Sequence, residues 1–158
     1  MNSELITHWS DHDSAVLKAL SQATSNLRIF DEDLIRLKLE EPEKLKELQR
    51  LLEAGSLSRI EIALRNAEPF RRNSPRLMKL LATYPHKLSV IECPPHLATL
   101  SDALLIADDR HALIRFHKDN ARSRLIIDDT KSCQPYHQRF SEILHEGGLP
   151  ISSTTLGL

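Results

Sequence analysis

Apolar residues recur at helical spacing at Val16, Ala19, Leu20 and Ala23, behind the polar cap candidates Ser10, Asp11 and Asp13, which predicts a first helix near residues 12–25. Leu27-Arg28-Ile29-Phe30 then alternates and closes on Asp31, as a strand feeding a polar loop does. Pro42 ahead of Leu45, Leu48, Leu51 and Leu52, with Gly55 as the stop, predicts an amphipathic helix over residues 42–54. Ile60, Ile62 and Leu64 alternate with Arg59, Glu61 and Ala63 and read as a strand.

The second half repeats this grammar. Ser74-Pro75 opens a short helix striped by Leu77, Leu80 and Leu81, and residues 88–92 form a strand halted by Pro94-Pro95. Leu104-Leu105-Ile106 and Ala112-Leu113-Ile114 flank the turn residues Asp108-Asp109-Arg110 and predict a hairpin. Leu125-Ile126-Ile127 gives a last strand, and Tyr136, Phe140, Ile143 and Leu144 mark a final helix stopped by Gly147-Gly148. The expected fold class is α/β, with a mixed central sheet of about six strands and helices on its faces. One domain over residues 1–148 is expected, followed by a mobile tail over residues 149–158 that carries no core pattern.

Composition narrows the function classes. With 41% hydrophobic residues the chain can bury a core and is not a disordered segment. Its 21 Lys and Arg against 22 Asp and Glu leave no global field to gather nucleic acid or an anionic membrane. Cys93 and Cys133 lie far apart outside any C-x-x-C spacing, so a reducing, cytoplasmic setting is expected. The start of the chain shows no signal-like apolar run, and no stretch is long enough to span a membrane, so no membrane insertion is expected.

The stretch from Ser101 to Arg115 resembles the signature hairpin of the phospholipase D superfamily, H-x-K-x-x-x-x-D followed by G-S. Ser101 falls where the family has its nucleophilic His, Ala103 where it has its phosphate-neutralising Lys, and Asp108 on the Asp. The Gly-Ser positions fall on Arg115 and Phe116. The resemblance implies a phospholipase D-like half-domain with a degenerate site at Ser101, Ala103 and Asp108. It also implies a homodimer or a partner half-domain, because the family's halves pair around one site. Loss of the His and Lys removes nucleophile and charge neutraliser together, which points away from an enzyme and towards a binding or regulatory domain. Any ligand is then expected near Asp31, Arg65, Ser101 and Asp108. A second, closer similarity is to bacterial domains found alone or joined to acetyltransferases. It rests on the S/A-D-A-x-L-x-A-D-D run and on Arg139-Phe140-Ser141-Glu142-Ile143-Leu144 in the final helix.

Other residues offer chemistry of their own. Arg65, Arg71, Arg72 and Arg76, with Lys79 and Phe70, concentrate charge that could hold an anionic ligand, a phosphorylated molecule or nucleic acid, although a solvated basic loop is the simpler reading. Ser101, Cys93 and His117 leave a residual phosphodiesterase or other hydrolase open. Asp108-Asp109 with Asp128-Asp129, and His8 with His12, are read as turn and helix-start residues rather than as a metal site. Four glycines, none spaced as a phosphate-cradling loop, give no reason to expect a cofactor.

Overall fold

The alternating segments pair into one mixed sheet of eight strands, described in a computed structural model over residues 3–153. In chain order the elements are β1 (Ser3–Ile6), α1 (Trp9–Gln22), β2 (Asn26–Asp31), α2 (Pro42–Glu53), β3 (Arg59–Leu64), α3 (Glu68–Asn73), α4 (Pro75–Thr83) and β4 (Leu88–Glu92). They continue with β5 (Ala103–Ala107), β6 (His111–Arg115), β7 (Ser123–Ile126), α5 (Thr130–His145) and β8 (Leu149–Pro150). The strand order is β1-β7-β6-β5-β2-β3-β4-β8. β2, β3 and β4 run parallel, and each alternates buried apolar residues with a less buried polar one, Arg28, Glu61 and Ser89, in its first half.

Period-two alternation splits the interior into two cores. Leu27 and Ile29 of β2, with Leu105, Leu113 and Leu125, face α1, α2 and α4. Phe30, Leu104, Ile106, Ala112, Ile114 and Ile126 face Phe140 and Ile143 of α5.

Two strands exceed the expected six. β1 buries only Ile6, and both residues of β8 are exposed, so these edges rest largely on backbone pairing and no apolar pattern announces them. The expected mobile tail therefore starts too early. Leu149 and Pro150 pair with Glu92 and Ile91, and Ile151 is buried while its N–H donates to Val90 O at 2.8 Å. Gly148 permits this approach, since a Cβ there would lie 2.8 Å from Glu92 O. Residues 154–158 lie outside the described residues.

Helix boundaries also shift. α1 starts at Trp9 and stops at Gln22, because Asp108 claims the amides of residues 24–26. Residues 68–73, read as a loop, form the short helix α3. α5 begins six residues before Tyr136 and carries Pro135 inside it, started by Asp129, whose carboxylate accepts from Ser132 N.

Candidate functional site

The carboxyl ends of β2 and β3, the start of β5 and the end of β6 meet at one end of the sheet. There Ala103 pairs with Arg115 across β5 and β6, and Phe30 pairs with Leu104 across β2 and β5, so Asp31, Ala103 and Arg115 lie side by side. Arg115 Nη2 donates to Asp31 Oδ1 at 2.9 Å, and both side chains are almost wholly out of water. Ala103 stands on the strand between them, and its single methyl is a small side chain for that place. Asp31 Oδ2 also accepts from Leu34 N at 2.7 Å and Asp33 N at 3.3 Å, which ties the following loop to the pair. Burial pushes the Asp31 carboxyl above its ordinary value, with Arg115 and these amides pulling the other way.

His12 sits beside this pair. Read from the sequence as part of a solvated turn, it is 1% exposed, because α1 starts early enough to turn it onto the sheet. Burial, then the charges of Arg115 and Lys44, lower its pKa to about 4, so the ring is neutral. Trp9 meets the His12 ring edge-on at 5.3 Å, with Arg36 stacked 4.2 Å from the Trp9 centroid and Arg115 at 5.6 Å on the same ring. His12 Nδ1, Arg115 Nε and Arg115 Nη1 are buried and have no hydrogen-bond partner among the described residues.

Asp108 is elsewhere. It follows β5 at the end opposite Ser101, about 17 Å from Ala103 at the extended-strand rise. The expectation that Asp31, Arg65, Ser101 and Asp108 share one end thus holds for the first three only. Asp108 adopts a left-handed φ of 54° and clamps the start of β2. Its Oδ1 accepts from Ser25 N at 2.8 Å and from Thr24 N and Asn26 N at 3.1 Å, and Oδ2 accepts from Thr24 Oγ1 at 2.8 Å. Partial burial raises its pKa, but these donors outweigh that and hold it below the ordinary carboxylate value.

The two motif fragments of the bacterial resemblance meet in an ion pair. Arg139 of α5 forks onto the Asp102 carboxylate at 2.8 and 2.7 Å, fixing α5 to the start of β5. Arg65 donates to Asp102 O at 2.7 Å from the same side, its guanidinium over the Phe30 ring. Ser101, half-exposed, makes no hydrogen bond among the described residues.

The basic segment does not converge. Arg71 lies 3.8 Å from Glu92, Arg72 pairs with Glu68 at 2.7 Å, and Arg76 donates from Nη1 to Glu40 O. The Glu40 carboxylate also takes the first amides of α4, Arg76 N and Leu77 N, where an anion would otherwise bind. Cys93 is buried with its thiol pushed up, and His96 pairs with Glu146 at 2.7 Å rather than with Cys93. His117 Nδ1 accepts from Asp119 N at 3.1 Å. Arg110 stands between Asp109 and Asp128, at 3.6 and 3.4 Å, and His8 is exposed while His12 is buried, so neither acidic pair nor histidine pair forms a ligand set. Among the described residues no group of three or more His, Cys, Asp or Glu side chains converges, and no helix is long and apolar enough to cross a membrane.

Solved structures with this arrangement share the fold at low sequence identity. Nuc from Salmonella typhimurium, a phospholipase D family member, is similar with a TM-score of 0.63 at 14% identity, covering 95% of this chain and 99% of Nuc. NucT from Helicobacter pylori gives a TM-score of 0.62 at 13% identity over 94% of this chain and 98% of NucT. The archaeal chromatin protein TrmBL2, whose structure shows a novel mode of DNA binding, gives 0.68 at 14% identity over 94% of this chain. The present chain spans only 54% of TrmBL2. The scaffold is thus of the phospholipase D type. No curated protein matches the sequence. The family model described as Domain of unknown function (DUF7931) matches residues 8–148, and the chain belongs to that family.

Proposed function

We propose that this chain is a non-catalytic binding or regulatory domain on a phospholipase D-type scaffold. The observation that carries the reading is the buried Arg115–Asp31 pair lying across Ala103, where the resemblance puts the catalytic Lys. A cation fills that place, but its Nη2 is held by Asp31 and no catalytic His stands beside it, so it does not reproduce the Lys that neutralises phosphoryl oxygens during attack. Among the described residues Ser101 hydrogen-bonds to no base that could take its proton, and a hydroxyl without one is a poor nucleophile. The test is hydrolysis of bis(p-nitrophenyl) phosphate and single-stranded DNA by the purified chain. No turnover above buffer is expected; turnover abolished by Ser101→Ala would overturn the reading.

Pairing with a second copy or another half-domain belongs to the same proposal. It is supported by the resemblance and by Ile35 and Phe116, each beside a residue of the site end and exposed at 58% and 41%. Sedimentation that stays monomeric at high concentration, alone and with candidate half-domains, counts against it.

Nucleic-acid binding is the second reading, supported by the likeness to TrmBL2. The local pairing of Arg71, Arg72 and Arg76 leaves it without a free basic patch from that segment. Binding to DNA that persists unchanged as salt rises would exclude a phosphate-contact mode.

A further inference from the structure

Among the described residues three side chains at the site end hold buried hydrogen-bonding atoms without a partner: Arg65, over Phe30 on the α5 face, and Arg115 and His12, which share the other face. Arg115 uses one nitrogen on Asp31 and leaves Nε and Nη1 without an acceptor, and His12 leaves Nδ1 without a partner. Both residues are at most 2% exposed. Native interiors seldom leave such groups unpaired, because an unmet buried donor has given up its hydration for nothing. Both lie on the α1 face of the sheet against one ring, that of Trp9. Two Arg115 donors and an imidazole whose Nδ1 can carry a proton call for an acceptor that is rich in oxygen.

We propose that Arg115 and His12 bind one oxyanion, the carboxylate or phosphate group of a small ligand, beneath Trp9. The inference rests on the non-catalytic reading above and names the class of ligand that such a domain would hold. Local charge favours a singly charged group: Arg115 is paired with Asp31 and Lys44 with Asp13 and Glu41, while Arg36, over Trp9, has no ion-pair partner among the described residues. The donors differ from the His and Lys of the signature, coming from α1 and from the end of β6. The exposed Arg36 side chain covers the half-buried Trp9, 4.2 Å from its ring centroid.

The full chain is titrated with acetate and with inorganic phosphate at constant ionic strength, chloride making up the balance. Calorimetry reads affinity, and the emission of Trp9, the single tryptophan of the chain, reads location. Saturable one-site binding with a change in Trp9 emission is expected, weakened roughly tenfold in His12→Leu, which removes one hydrogen bond to a charged group and spares the Arg115–Asp31 pair. Saturation by acetate alone assigns a carboxylate, by phosphate alone a phosphate, and by both the shared oxyanion chemistry. The proposal is overturned if neither ion saturates, if binding leaves Trp9 emission unchanged, or if a folded His12→Leu binds as tightly as the parent. Should His12→Leu fail to fold, the Trp9 titration of the parent decides. Phosphodiester turnover in the same samples would instead overturn the non-catalytic reading, whereas absent turnover with absent saturation overturns only this inference.

Discussion

Arg115 and Asp31, 84 residues apart in sequence, form a buried ion pair of 2.9 Å that bridges β6 to β2 across β5 at the level of Ala103. The pair stitches the hairpin to the parallel half of the sheet and, through the Leu34 amide, anchors the loop beyond β2. Its worth is best seen from what removing one partner leaves behind.

Arg115→Met strands the Asp31 carboxylate in the interior, so urea unfolding should show a loss of about 3–5 kcal/mol. The double variant Arg115→Met with Asp31→Leu removes both charges and should recover much of that loss. If the double variant is as unstable as the single, the deficit comes from packing and the ion-pair account is wrong.

Rebuilding the signature should fail for the same reason. Ala103→Lys drives a second cation and four methylenes into the space that the Arg115 guanidinium crosses, at a cost of about 2 kcal/mol or more from overpacking and like charge. Ser101→His with Ala103→Lys is therefore expected to lower the unfolding midpoint and to yield no phosphodiesterase. Activity appearing in that double variant would show that the site is a short step from catalysis.

Much of this fold was legible in the sequence, and the reasons for the rest are local. Runs such as Ile60-Glu61-Ile62-Ala63-Leu64 declare a strand because side-chain burial enforces the alternation. Leu149 and Pro150 bury neither side chain, so their strand is invisible to any hydrophobic pattern. Arg115 ends an apolar run and looks like an ordinary charge at a strand end, since nothing nearby in sequence names Asp31 as its partner. Asp108 was visible as a motif residue, but its role depends on three amides of residues 24–26 that only the folded chain brings to it. The arginines of residues 65–76 declared their charge while Glu40 and Glu92, which quiet it, lay outside the window.

His12 gives stability a defined pH dependence. Its pKa is about 4 in the fold against 6.5 for an ordinary histidine, so between those values the unfolded chain binds the proton that the folded chain refuses. Its contribution is thus fully present above pH 6.5, falls as pH drops towards about 4, and is flat below, a total of up to about 3 kcal/mol. Arg115, Lys44 and Arg36 favour the neutral ring and Asp13 opposes them. Comparing urea unfolding of the parent and His12→Phe across that window should show a stability difference that shifts towards the variant as pH falls; a constant difference would mean that His12 titrates normally.

Asp108 acts with the opposite chemistry at the other end of β5. Its folded pKa is below the ordinary 3.8, so its stabilisation is complete above that value and is lost as pH falls through the lower folded one. Asp108→Asn keeps the shape but loses a charged acceptor, which should cost about 2 kcal/mol at neutral pH, the scale of one hydrogen bond to a charged group. The cost should shrink in acid, where the parent's carboxyl is protonated too. A pH-independent cost would assign the loss to geometry alone.

The chain beyond α5 should also matter more than its composition suggests. Ending the protein at Gly148 removes β8 and uncovers the pocket of Ile151, and burial of one such side chain is worth about 1.5–3 kcal/mol. Gly148→Ala probes the same closure without deletion. It sets a Cβ 2.8 Å from Glu92 O at a φ of +154°, so either the backbone shifts or β8 detaches from β4. If β8 closure contributes to the fold, both variants should unfold at lower urea concentration, and amide exchange should accelerate at Ile151, whose N–H bonds Val90 O. Unchanged exchange at Ile151 in Gly148→Ala would show that β4 accommodates the methyl group and that the strand survives without its glycine.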